Sequence, residues 1–113
     1  KEIANAFDAK SDFFYERRYP PTINKEEETF LAAKAAVDTV GEENLISNHR
    51  PSMGSEDFAF MLKERPGAYI WIGNGDGEGS CMIHNPSYDF NDEILKIGAS
   101  WWVRLAEQYL SPP

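Results

Sequence analysis

Apolar residues recur along this chain with two different periods. Phe30, Ala33, Val37 and Val40 share one stripe at helical spacing. Thr22 or Asn24 is placed to cap that helix, Glu26, Glu27 and Glu28 complement its positive end, and Gly41 stops it. A longer stripe of Ile94, Ile97, Gly98, Trp101, Leu105 and Tyr109 predicts a helix over Asn91–Leu110. Asn91 caps it, Asp92 and Glu93 fill its first turn, and Ser111-Pro112-Pro113 ends it. A short helix is predicted over Phe58–Leu62, with Ser55 as its cap and Arg65-Pro66-Gly67 as its stop. Ile3, Ala4 and Phe7 are spaced like the tail of a further helix, and Asp8–Asp12 reads as a turn.

The second period is two. Phe13, Tyr15, Arg17 and Tyr19 alternate with Phe14, Glu16 and Arg18, which predicts a strand with Arg17 and Arg18 at its solvated end. Ala68–Gly73 is almost wholly apolar, as in strands covered on both faces of a parallel sheet. Leu45–Ser47 has room for a brief strand. Pro20-Pro21 makes a stiff connector and marks a boundary between two structural units. Helices alternating with strands predict an α/β fold. Trp71 and Trp101 are expected to be buried, and Gly98 beside Trp101 suggests close packing of the last helix on a sheet.

Composition narrows the class. At 113 residues the chain is long enough for one domain with a core, and its three tryptophans, five tyrosines and seven phenylalanines argue against disorder. The formal net charge of -8 comes without any basic run longer than Arg17-Arg18, so a nucleic-acid partner is not expected. No apolar run approaches the ~18 residues of a membrane span, so no membrane partner is expected either. Cys81 is the sole cysteine, which excludes an internal disulfide and fits a reducing, cytoplasmic setting. The first residue is Lys1 rather than methionine, so the chain is expected to be a piece of a longer protein.

Candidate chemistry gathers in Ser80–Asp92. His84, one of two histidines, stands in it between a strand signal and the longest helix signal. Pro86 keeps Asn85 out of the helical region, so His84 is held on a stiff turn before a helix. A metal ligand or proton carrier needs such fixed placement; an ordinary surface histidine is the plainer reading. Gly54 precedes a short helix, so its backbone and Ser55 could receive an anion, or the segment is simply a capped helix. The alternate glycines from Gly73 to Gly79 lack a lysine, which makes a flexible surface turn a better reading than a phosphate loop. Cys81 and His84 have a spacing permitted for metal ligands, but two residues are too few, and His49 is not expected to join them.

Three segments together resemble a known family: Tyr15-Glu16-Arg17-Arg18-Tyr19-Pro20-Pro21-Thr22-Ile23-Asn24, Pro51-Ser52-Met53-Gly54-Ser55-Glu56-Asp57-Phe58-Ala59, and Ile83-His84-Asn85-Pro86-Ser87-Tyr88-Asp89-Phe90-Asn91-Asp92. Their order and spacing are similar to the C-terminal part of the metal-dependent amidohydrolases of the aminoacylase/carboxypeptidase metallopeptidase family, in the branch of hippurate hydrolase and the N-acyl-amino-acid amidohydrolases. The resemblance implies a two-domain parent. Its α/β/α catalytic domain carries a divalent metal pair (zinc, manganese, cobalt or nickel), and a smaller inserted lid mediates homodimerisation. Residues 1–20 would then end the lid, and residues 21–113 would form the C-terminal part of the catalytic domain. Asp12–Tyr19 is accordingly expected to be extended and poorly packed.

The resemblance also implies roles. His84 would be a metal ligand, oriented by Asp89 or a backbone carbonyl, and Gly54 and Ser55 would approach the carboxylate end of an N-acyl amino acid. The family's other ligands, its general-base glutamate and its lid histidine have no counterpart here, so no catalytic residue is expected within this chain. The isolated chain is expected to be inactive and to bind no metal, with His84 at least partly exposed. The alternative is a non-catalytic folded or dimerising module.

Overall fold

Helices form where good helix formers carry an apolar side, and extended segments join them. The computed structural model describes residues 1–110. Its helices are α1 (Glu2–Asn5), α2 (Glu26–Val40), α3 (Phe58–Glu64) and α4 (Ile94–Leu110), with a 3-10 turn at Glu42–Asn44. The expected stop at Ser111-Pro112-Pro113 lies outside the described residues.

The core is the contact between α2 and α4. Ala32 and Ala35 on α2 meet Trp101 on α4, and Ala36, Ala68, Ile70 and Leu105 pack around them. Trp101 is only 7% exposed, and its indole Nε1–H donates to the Ala32 carbonyl at 3.0 Å. That bond satisfies a donor whose burial would otherwise be costly. Further along the pair, Gln108 Nε2 donates to Asp38 Oδ2 at 2.7 Å.

The packed side of α2 differs from the stripe read off the sequence. Phe30, expected to lead that stripe, is 68% exposed, while the alanines are buried. An indole is large, and only methyl side chains let the two helix axes approach closely enough to enclose it. The start of α2 also differs. Its N-cap is Lys25, with extended backbone and no side-chain cap. Asn24 is engaged elsewhere: its Nδ2 donates to the Tyr69 carbonyl at 2.9 Å, and its Oδ1 accepts the Tyr69 N–H at 2.8 Å. Lys25 N–H donates to the Gly67 carbonyl at 3.0 Å.

The expected α/β layering is not seen. Among the described residues there is no β-strand. Residues 13–19, 45–46 and 68–73 lack regular structure because no neighbouring chain completes a ladder. At Tyr69 the Asn24 amide makes the reciprocal pair of bonds that a neighbouring strand would make. The period of two survives in 68–71. Ala68 and Ile70 turn toward the core, whereas Tyr69 and Trp71 face outward. Trp71, expected to be buried, is 61% exposed. Its segment is covered on one face, not two, because α2 and α4 lie on the same side.

Gly98 does mark a close approach. A Cβ there would lie 3.4 Å from Ile72 Cδ1, so α4 passes directly over the extended segment. Residues 12–19 are extended and exposed throughout, with Tyr19 meeting the Phe60 ring edge-on at 5.5 Å. The Cα radius of gyration is 20.0 Å, against about 13 Å for a compact domain of ~100 residues.

Candidate functional site

The His84 loop is built from short-range turns with a tied neck. Asn85 N–H donates to the Met82 carbonyl at 3.2 Å and closes a turn with His84 in its third position. His84 has φ 70 there, in the left-handed region. A residue with a Cβ stays in that region at a cost of about 1–2 kcal/mol unless its surroundings hold it. A second turn follows at once: Tyr88 N–H donates to the Asn85 carbonyl at 3.0 Å, and Ser87 N–H to Asn85 Oδ1 at 2.9 Å. Pro86 fits this turn because its φ is already fixed.

The neck is held by two sets of bonds. Asp89 N–H donates to the Gly79 carbonyl at 2.9 Å. Asn74 makes the other set: its Nδ2 donates to the Asp89 carbonyl at 2.8 Å, its Oδ1 accepts the Asn91 N–H at 2.8 Å, and its own carbonyl accepts Asn91 Nδ2 at 3.2 Å. Asn91 Oδ1 then accepts the Glu93 N–H at 3.0 Å and closes a turn over Asp92 and Glu93, so α4 starts at Ile94, later than the expected Asn91, with no acidic residue in its first turn.

The glycine-rich turn is thus pinned rather than free. Gly79 has φ +81, and a Cβ added to it would sit 2.6 Å from Asp89 Cβ. Both the backbone angle and the lack of space demand glycine at this position. A Gly79→Ala substitution is expected to destabilise the neck by about 1–2 kcal/mol or more. Faster amide exchange over residues 79–89 than in the unsubstituted protein is the measurement that checks it. A shallow hollow of about 260 Å³ lies beside the neck, lined by residues including Glu78, Asp89 and Asp92; His84 is not in its wall.

His84 itself is exposed, and its imidazole has no hydrogen-bond partner among the described residues. Asp89, expected to orient it, acts through its backbone instead, because both of its main-chain groups are used at the neck. Its carboxylate makes no hydrogen bond to His84. Cys81 is half-buried, with Sγ 3.7 Å from the Gly79 carbonyl. His49 packs edge-on to Trp71 at 5.6 Å. Among the described residues no three His, Cys, Asp or Glu side chains cluster as a metal site would require. A catalytic centre takes about three protein ligands per metal. The described residues therefore do not by themselves make up a complete centre.

Gly54 and Ser55 are exposed and lie before the first turn of α3. Ser55 is not the cap. The turn opens from the Glu56 carbonyl, so it is Glu56 Oε1 that reaches the Phe58 N–H, at 3.1 Å. Glu56 Oε2 accepts the Tyr69 hydroxyl at 2.9 Å. The bond from Phe58 N–H, followed by that from Tyr69, holds the Glu56 carboxyl below its usual pKa. The same hydrogen bond to Glu56 raises the Tyr69 phenol. α3 is thereby tied to the extended segment, and nothing in this geometry brings Gly54 or Ser55 to His84. Asn74, Gly79 and Glu56 were not singled out from the sequence as structural ties. The one available signal was Gly79 standing immediately before the His84 stretch.

The model of Peptidase family M20/M25/M40 matches residues 9–108. A hippurate hydrolase of Campylobacter jejuni subsp. jejuni is 38% identical over 110 residues, covering 97% of this chain and 28% of the relative. An IAA-amino acid hydrolase, ILR1-like 5 of Arabidopsis thaliana, is 34% identical over 110 residues, covering 94% of this chain and 25% of the relative. The chain thus spans about a quarter of the length of these curated relatives. No solved structure matches it significantly. With the family model running from before the Pro20-Pro21 connector to near the end of α4, the chain belongs to peptidase family M20/M25/M40.

Proposed function

We propose that this chain is the C-terminal part of a metal-dependent amidohydrolase that cleaves the amide bond of N-acyl amino acids or related conjugates. The observation that carries this reading is the 38% identity to a hippurate hydrolase across 97% of the chain. The loop geometry supports it, since an unpartnered imidazole is kept in strained backbone by a tied neck. When bound, divalent metal supplies Lewis acidity toward an amide carbonyl and toward water. The part of this chain is to hold one imidazole ligand, His84, at a fixed point. The remaining ligands and the general base belong to the rest of the protein, so no step of the reaction is assigned to residues here.

The exposed apolar surface supports a larger body. Tyr69, Trp71 and Ile72 would join a sheet of the catalytic α/β/α domain, and residues 1–20 would end a lid through which two copies pair. Gly54 and Ser55 would face the substrate only after α3 is enclosed by that body. The cytoplasm is the proposed location. Among the described residues no helix is long and apolar enough to cross a membrane.

A second reading concerns the isolated chain, as a non-catalytic folded or dimerising module. The observation behind it is that no three metal-ligating side chains cluster among the described residues. Dialysis followed by elemental analysis separates the two. The full-length protein is expected to retain zinc, manganese, cobalt or nickel and to release amino acid from hippurate-type substrates. The isolated chain is expected to do neither. A full-length protein that keeps no metal and cleaves no N-acyl amino acid would sink the enzymatic reading.

A further inference from the structure

We infer that Asn74 is a positioning residue for His84, an inference that rests on the reading of His84 as a metal ligand. Among the described residues, the loop from Ser80 to Tyr88 is joined to the rest of the chain by hydrogen bonds at its neck. Ties at the neck decide how far its tip can wander, because a free loop samples many end-to-end arrangements. The tie between Gly79 and Asp89 joins the two ends of the loop to each other and fixes neither to the core. Asn74 supplies that second connection. One side-chain amide holds the Asp89 carbonyl at 2.8 Å and the Asn91 N–H at 2.8 Å.

Asn91 also holds the turn that leads into α4, through its bond to the Glu93 N–H. Helix α4 is in turn anchored by Trp101 in the α2 contact. Asn74 thus ties the end of the histidine loop to the segment that leads into α4. A leucine or alanine cannot replace it, since the site needs a donor and an acceptor about one amide apart. Asp keeps only the acceptor facing Asn91, and places a second oxygen against the Asp89 carbonyl.

The test uses the full-length protein, with Asn74→Ala, Asn74→Asp and His84→Ala side by side. Metal affinity is read by competition with a chelator, and loop order by hydrogen–deuterium exchange over residues 79–89. Asn74→Ala is expected to weaken metal binding by about 10-fold, the lower end for losing a residue that orients a ligand. Exchange over 79–89 should rise, and turnover should recover when excess metal is added. Recovery by metal is the readout that general loss of structure would not give. Asn74→Asp should show the same direction, and it keeps the acceptor for the Asn91 N–H if the alanine variant folds poorly. His84→Ala should lose metal without recovery.

If both Asn74 variants bind metal as the unsubstituted protein does while His84→Ala loses it, the positioning role is overturned and the ligand reading stands. If His84→Ala keeps its metal, the ligand reading falls, and the positioning role falls with it.

Discussion

Replacing His84 by alanine in the full-length protein is expected to abolish amide hydrolysis while leaving folding almost unchanged. The side chain is exposed and makes no hydrogen bond among the described residues, so its removal deletes little packing. What is lost is a fixed donor atom, and misplacing reacting groups by about 1 Å can already cost on the order of 100-fold in rate. His84→Gly sharpens the test. Glycine accepts φ 70 without strain, so this variant should be as stable as the unsubstituted protein or more so, by up to about 1–2 kcal/mol, yet equally inactive. Turnover, bound metal and melting temperature measured on both variants separate the roles. Normal turnover with normal metal content would mean that the motif serves only to lead the chain into α4.

Trp101→Ala is the expected large loss of stability. Among the described residues, Trp101 is the only large side chain that is buried and hydrophobic, the others being Ala32, Ala35 and Ala59. Emptying such a site costs about 3–5 kcal/mol, a large part of the stability of an ordinary domain. The facing residues on α2 are alanines, which have no longer side chain to extend into the space. Trp101→Phe should recover most of the packing. It removes the indole bond to the Ala32 carbonyl, which is worth about 1 kcal/mol net. Denaturant unfolding followed by circular dichroism would check both; an alanine variant with an unchanged midpoint would show that the α2–α4 contact does not carry the fold.

The local signals were legible wherever a residue acts on its near neighbours. Asn91 bonds the N–H two residues on, as its side chain's reach implies, and so holds the turn that leads into α4. The turns around Asn85-Pro86 likewise follow from proline geometry and the reach of an asparagine side chain. The misreadings share another cause. Asn24 is a good cap residue, yet its amide is taken by Tyr69, 45 residues away. Ser55 is a good cap residue too, but the helix opens later and Glu56 serves it. The apolar stripe on α2 was a sound helical pattern, but the side that packs is chosen by the size of Trp101 on another helix.

The sequence by itself determined that a long helix closes the chain and that His84 sits on a constrained loop before it. It also determined family membership, since the three motif segments are contiguous stretches whose order and spacing need no coordinates. Only the tertiary structure decided that the glycine turn is pinned, because the tie from Asn74 to Asp89 and Asn91 spans 15 and 17 residues. It alone decided that Ala68–Gly73 stays unpaired and leaves Trp71 in solvent. Propensity and period describe what a segment can do within its own reach. A strand's partners, a tryptophan's enclosure and the ties of a loop depend on which distant groups arrive beside them.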